Sequence, residues 1–336
     1  MMKRRILYLD IVRCLACLMI IMTHSPQPNS ANGYVLASIS LLTAPCNGLF
    51  FMVSGALLLP IDKSTTIFLK TRLIKIAFPL LLWSLFYIII ECIAMHTTNG
   101  LVRSIISLPF SAQGSGILWF MYVMLGLYLL APVLSPWLRQ ASQKEIEFFL
   151  LIWVITLCYP LIRLFVDVNQ STEGILYYFS GYVGFFVLGY YLHNYSALWS
   201  KWTLIGMYIF PVGCAMAFKL ADIKINFYDI FWNLSLLAPM MCTSLFVIAK
   251  KFVERTRLLN YRFEMLLTDF SCCSYGIYLL HIFIVYDVLW KFDLVLIPNG
   301  GGILETFVLG VVISYLIIHL ISHLPMSEYL IGFKRK

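Results

Sequence analysis

Apolar stretches of about twenty residues recur along almost the whole of this 336-residue chain. That is the length a helix needs to cross the roughly 30 Å hydrocarbon core of a bilayer. Ten segments meet the requirement, at about 6–23, 35–59, 73–95, 117–134, 146–166, 175–193, 203–219, 227–249, 268–290 and 303–323. Spanning strands would need alternating polarity and a closed barrel, so helix is the only form available. Composition agrees: 61% of residues are hydrophobic and 12% charged, against roughly 45–50% and 25% in an average soluble domain. Such a chain cannot cover its own core with a polar surface. A secreted disulfide scaffold, a nucleic-acid-binding module and a cytosolic enzyme are excluded. The expectation is an all-α polytopic membrane protein of about ten transmembrane helices, one domain over residues 1–336. The seventh segment is the weakest, being short and carrying Pro211 and Gly213.

Lys and Arg in short loops orient such a chain, because they stay on the cytoplasmic side. With both termini in the cytoplasm, that side receives Lys3, Arg4, Arg5, Lys63, Lys70, Arg72, Lys75, Arg139, Lys144, Lys201 and the basic residues from Lys250 to Arg262, together with Lys334, Arg335 and Lys336. The other side receives Arg103, Arg163, Lys219, Lys224 and Lys291. Most of the net charge of +8 is therefore loop charge that sets orientation. Of the 24 basic residues only Arg13 lies deep inside a span, away from its ends.

An ionisable group at lipid depth costs several kcal/mol unless it faces protein or water, so it marks function by default. The first segment holds Asp10, Arg13 and His24, followed by Ser25. Eleven helical residues turn through about 1100°, which brings Arg13 and His24 to one face within about 20°. Asp10, three residues earlier, lies close to the same stripe. The basic start of this segment is not that of a cleaved leader, because its apolar run is long, contains charges and lacks an Ala-x-Ala exit. In the ninth segment Ser274, Tyr278 and His281 stand at i, i+4 and i+7, again on one helix face. His24 and His281 come out at similar depth and are expected to line one cavity, with Glu91, Asn47 and Ser54 as further contributors. Trp119 and Tyr122 either belong to the aromatic belt or close the outer mouth of that cavity.

Other chemistries find no support. The nine cysteines show no metal spacing, and Cys14 and Cys17 read as small apolar residues on a membrane helix. Gln113–Gly116 matches no phosphate-binding glycine loop, and no Gly-x-Ser-x-Gly elbow is present. Lys70, Arg72 and Lys75, leading into Pro79, are either ordinary positive-inside charge or a grip on an anionic group such as a phosphate.

Taken in order, these segments resemble the membrane acyltransferase 3 family. Arg13 and His24 match its R-x10-H signature, with Asp10 in the usual preceding place. Phe50–Gly55 resembles its F-F-x-x-S-G segment, and Arg72-x-x-Lys75 followed by Pro79 its cytoplasmic R-x-x-R. Leu118–Phe120 with Tyr128–Pro132 resembles its fourth helix, and Ser274-x-x-x-Tyr278-x-x-His281 its S-x-G-x-Y-L-x-H segment. Lys75 keeps the charge of the family's second arginine and loses its planar fork.

The resemblance implies O-acylation of a cell-surface or lipid-linked glycan by a multi-pass enzyme of a bacterial inner membrane. It implies cytoplasmic acyl-CoA, usually acetyl-CoA, as donor substrate, with no permanently bound cofactor and no metal, and without the soluble esterase-like domain that some members append. His24 is then the general base or a transient acyl carrier, Arg13 orients the site or steadies negative charge, and Asp10 holds Arg13. Arg72 and Lys75 contact the phosphates of CoA, while His281, Ser274, Tyr278, Glu91, Ser54 and Trp119 are candidates for acceptor contacts. The partners are acyl-CoA, the saccharide acceptor and membrane lipid. The alternative is a proton-coupled exporter or flippase of a polysaccharide or lipid-linked sugar, for which the chain lacks evident inverted repeats.

Overall fold

The computed structural model describes residues 5–27, 33–98, 100–110, 118–166, 174–195, 199–222, 230–232, 234–255, 260–295 and 300–335. Lys3, Arg4, Gln113–Gly116, Lys224, Arg257 and Lys336 lie outside the described residues. All regular structure among the described residues is helical. In chain order the helices are α1 Leu7–His24, α2 Gly33–Thr43, α3 Cys46–Leu58, α4 Thr65–Arg72, α5 Phe78–Ala94, α6 Leu101–Ser107, α7 Trp119–Gln140, α8 Gln143–Thr156, α9 Tyr159–Ile162, α10 Val183–Asn194, α11 Lys201–Leu220, α12 Leu237–Arg255, α13 Tyr261–Ile282, α14 Gly300–Ile321 and α15 Ser327–Ile331. Two π-helical segments, Leu73–Ala77 and Phe283–Trp290, continue α4 and α13 without a break.

Eight of the ten expected spans stand as helical stretches long and apolar enough to cross a membrane: Leu7–His24, Gly33–Leu58, Thr65–Ala94, Trp119–Gln140, Gln143–Ile162, Lys201–Leu220, Tyr261–Trp290 and Gly302–Ile321. The seventh segment, weakest in sequence, is one unbroken helix that accommodates Pro211, as membrane helices do when neighbouring groups satisfy the freed backbone. The remaining two segments depart from expectation for local reasons. Residues 175–193 begin with a 3-10 turn at Tyr177–Phe179, and Gly181 adopts a φ of +93°. Helix α10 therefore starts only at Val183 and has 12 residues, a length of about 18 Å. Helix α12 has 19 residues and runs on through Lys250, Lys251, Glu254 and Arg255, so its last turns are too charged for lipid.

The chain divides into two compact units, each assembled from two separate stretches of sequence: residues 1–60 with 134–271, and residues 61–133 with 272–336. In the first, α3 packs tightly against α10, and α1 packs against both α3 and α12. The close approach is made by glycine. A Cβ on Gly55 would lie 1.8 Å from the carbonyl oxygen of Phe186, and one on Gly189 would lie 2.0 Å from that of Met52. Small residues at such crossings let backbones meet where lipid offers no hydrophobic drive. Around the crossing sit buried Phe51, Phe185 and Phe186, and Trp153 covers Gly184 and donates from Nε1 to the Gly181 carbonyl at 2.8 Å. Helix α8 starts with a capping box between Ser142 and Glu145, which satisfies two amides at its exposed end.

In the second unit, side-chain donors tie backbone carbonyls of one element to another. Tyr275 donates to the Ile76 carbonyl at 2.8 Å, inside the first π segment, and Trp83 Nε1 donates to the Leu330 carbonyl at 2.9 Å. Gly332, at a φ of +69°, lies directly against the Lys75 carbonyl, where a Cβ would come within 2.5 Å. The glycine crossing gives a direct expectation. Gly55→Leu or Gly189→Leu should lower the thermal unfolding midpoint sharply, the equivalent of ~3 kcal/mol or more. Gly213→Ala, where nothing lies within 4 Å of the added carbon, should leave the midpoint unchanged or raise it slightly; thermal scanning of the three purified variants in one detergent checks this.

Candidate active site

Helix α1 is continuous from Leu7 to His24, so Asp10, Arg13 and His24 lie along one helix. Arg13 and His24 are separated by about 16 Å along its axis. Three residues partner this end of the line: Arg5, Thr268 and Ser271. Arg5, just ahead of the helix, grips Asp10 as a fork, with Nε at 2.7 Å from Oδ2 and Nη2 at 3.1 Å from Oδ1. The same Nη2 donates to the Thr268 carbonyl at 3.0 Å. Ser271 donates its hydroxyl to Asp10 Oδ1 at 2.5 Å. Asp10 itself is buried. A buried carboxylate is tolerable only with such a set of donors around it.

This corrects the expected pairing. Asp10 does not hold Arg13 directly; its lone pairs are taken by Arg5 and Ser271. Arg13 Nη1 reaches the oxygen of Ser271 at 3.5 Å, its one hydrogen-bond partner among the described residues. Ser271 thus relays between acid and base, giving its hydrogen to Asp10 and presenting its lone pairs to Arg13. A guanidinium carries five N–H donors, so Arg13 keeps most of its donor capacity for another group. Cys14 Sγ donates to the Leu267 carbonyl at 3.3 Å, so the first half of α1 is stitched to α13 over more than one turn.

At the other end of α1, Thr23 donates to Thr43 of α2 at 2.7 Å, and Ser25 returns its hydroxyl to the Ile21 carbonyl at 2.8 Å. These bonds fix the turn that carries His24, which is half-buried. Asn47 is buried and Ser54 half-buried on α3, the helix packed against α1. Tyr8, on another face of α1, hydrogen-bonds Nδ1 of His193.

The remaining sequence-predicted residues belong to the second unit. Arg72 ends α4, half-buried, with its guanidinium carbon 5.7 Å from the ring centres of both Phe68 and Tyr128. Such cation–π contacts fix the direction of an arginine without using up its hydrogen-bond donors. Lys75 stands exposed in the π segment that follows. Ser274, Tyr278 and His281 are all buried on α13, as their spacing requires. Phe120 packs edge-on against Tyr278 at 5.5 Å and also against Trp119 at 6.4 Å, so Trp119 joins this group through Phe120. His281 Nδ1 is 2.7 Å from the Tyr278 carbonyl. Glu91, in contrast, is exposed on the last turn of α5. Among the described residues no group of three or more His, Cys, Asp or Glu side chains is arranged to hold a metal ion.

Comparison with known families now decides the class. Residues 6–322 match the family model described as an acyltransferase domain, that of the acyltransferase 3 family. The chain belongs to the acyltransferase 3 family. No curated protein and no solved structure matches it. The matched region takes in every span and every candidate residue named above, so this is a multi-pass membrane protein of an acyltransferase family.

Sequence reasoning missed two members of the Asp10 cluster. Arg5 reads as orientation charge, and Ser271 is not singled out. The available signal was Ser271 itself, three residues before Ser274 and so one helical turn along that face. Ser271→Ala should leave Asp10 Oδ1 short of a buried donor and cost about 1–3 kcal/mol of stability. Ser271→Thr should recover most of it, and unfolding midpoints of the two variants in detergent would show the contrast.

Proposed function

We propose that the protein is an O-acyltransferase that moves an acetyl group from acetyl-CoA to a hydroxyl of a cell-surface or lipid-linked glycan. The observation that carries this reading is the polar line on α1. There Asp10 is satisfied by Arg5 and Ser271, while Arg13 has a single long contact among the described residues. A carboxylate that only neutralised Arg13 would sit on it. Here the acid anchors the helix, and the guanidinium keeps its donors for a group that is not part of the protein.

The chemistry follows from those residues. His24 takes the proton of the acceptor hydroxyl, whose oxygen attacks the thioester carbonyl carbon. The C–S bond breaks, and the CoA thiolate leaves with the proton that His24 returns to it. Acyl transfer through His24 itself would use the same nitrogen as nucleophile. Arg13, about 16 Å from His24 along the axis of α1, orients the bound donor through its guanidinium. Imidazole suits either role for His24, its ordinary pKa lying near 6.5. Arg72 and Lys75 grip the phosphates of the donor on the cytoplasmic side, with both chain termini on that side and the acceptor facing outward. Two features support the donor assignment: the guanidinium of Arg72 is held by two rings, which leave its N–H groups able to donate, and Lys75 is exposed beside it. Ser274, Tyr278, His281, Ser54 and Trp119 contact the acceptor, in the membrane of a bacterial cell.

Labelled acetyl-CoA and membrane glycolipid incubated with the purified protein test the reaction directly. His24→Ala should reduce transfer by about 10²–10⁴-fold at normal expression; full glycan acetylation by that variant would sink the assignment. Arg72→Gln should raise KM for acetyl-CoA by about 10–100-fold, the loss of one charge-assisted bond, with acceptor KM unchanged. An unaltered donor dependence would remove Arg72 from the donor site.

A further inference from the structure

The helix that carries His281 changes character immediately after it. Residues Tyr261–Ile282 are α-helical and Phe283–Trp290 are π-helical. In an unbroken α-helix the Phe283 amide would donate to the Leu279 carbonyl. Here the hydroxyl of Tyr87, from α5, stands between those two groups. It accepts from the Phe283 N–H at 3.3 Å and donates to the Leu279 carbonyl at 2.8 Å. Both backbone groups are thereby bonded to one side-chain hydroxyl at the point where the helix passes from α to π geometry, which is how a side chain set into the ladder stabilises a bulge. Tyr87 is buried, and its neighbour Phe86 packs edge-on against Phe283 at 5.2 Å, so α5 holds the wedge in place.

His281 lies between the two bridged residues, in the turn that the wedge opens. Its Nδ1 is 2.7 Å from the Tyr278 carbonyl. A carbonyl can only accept, so Nδ1 carries the hydrogen and the neutral ring bears its lone pair on Nε2. The direction of that lone pair depends on the path of residues 279–283, and this path is what the Tyr87 hydroxyl determines.

We propose that Tyr87 is a positioning residue: by wedging the Leu279–Phe283 step it maintains the switch from α to π geometry and aims the imidazole of His281 at the acceptor. This rests on the reading of His281 as an acceptor contact. Removing the hydroxyl lets Phe283 N–H close onto the Leu279 carbonyl, which moves the wide turn and turns His281 away.

Tyr87→Phe removes one oxygen and nothing else. It should lower kcat/KM for the acceptor by about 10–100-fold, the scale of a misplaced contact, and leave KM for acetyl-CoA unchanged. In a His281→Gln background the same substitution should have no further effect. Loss of equal size in both backgrounds, or no loss in either, overturns the proposal. Hydrogen exchange over residues 279–290 in detergent needs no substrate and should differ between wild type and Tyr87→Phe. If the wild type transfers no acetyl group, the functional reading fails and the exchange measurement alone decides the wedge, with identical exchange overturning it.

Discussion

A carboxylate buried in an apolar helix has to be satisfied by protein, because lipid supplies no donors. Asp10 is that group, and much of the first unit is organised around it. Arg5 folds back from ahead of α1 to pair with it, and Ser271 reaches it from α13. The same Arg5 also bonds the Thr268 carbonyl, so one acid draws two helices and the preceding chain together. An isolated ion pair in this setting gives little net stability. What it gives is register, since α13 can slide or rotate relative to α1 only by leaving a buried charge unsatisfied. Arg13 is placed by that register. Among the described residues its guanidinium meets only the Ser271 oxygen, at 3.5 Å, and it stays on the line that leads to His24.

The backbone is subject to the same constraint. Wherever a membrane helix departs from regular α geometry, some amide or carbonyl loses its usual partner, and another group must replace it. Each π segment of the second unit receives a tyrosine hydroxyl at its backbone, Tyr275 on the Ile76 carbonyl and Tyr87 on the Leu279 carbonyl and the Phe283 amide. One of these segments carries Lys75 and the other follows His281 directly. Irregular backbone occurs beside the residues that sequence singled out, and each irregularity is held by a donor from a different helix.

Much of the fold was legible because the solvent dictates it. Length and apolarity alone locate eight spans that the structure contains, and helical spacing alone puts Ser274, Tyr278 and His281 together in a buried face. The failures have physical causes too. Residues 175–193 are apolar enough to span, yet Gly181 takes a left-handed conformation and α10 starts late. Hydropathy sums side chains and carries no information about such a backbone turn. The Asp10–Arg13 pairing failed because two groups one turn apart on a helix compete with any donor that tertiary packing brings closer. Arg5 and Ser271 were those donors.

From the sequence by itself follow the membrane as solvent, helix as the spanning form, and a single stripe bearing Asp10, Arg13 and His24. These depend on composition and on the 3.6-residue period, both local properties. Tertiary structure alone decided which partner each polar group takes: Arg5 and Ser271 for Asp10, the rings of Phe68 and Tyr128 for Arg72, and the Tyr87 hydroxyl for the step beside His281. Hydrogen bonds and ring contacts act only over a few ångströms, so the partner is chosen by which helices meet, and residues far apart in the chain meet only once it has folded.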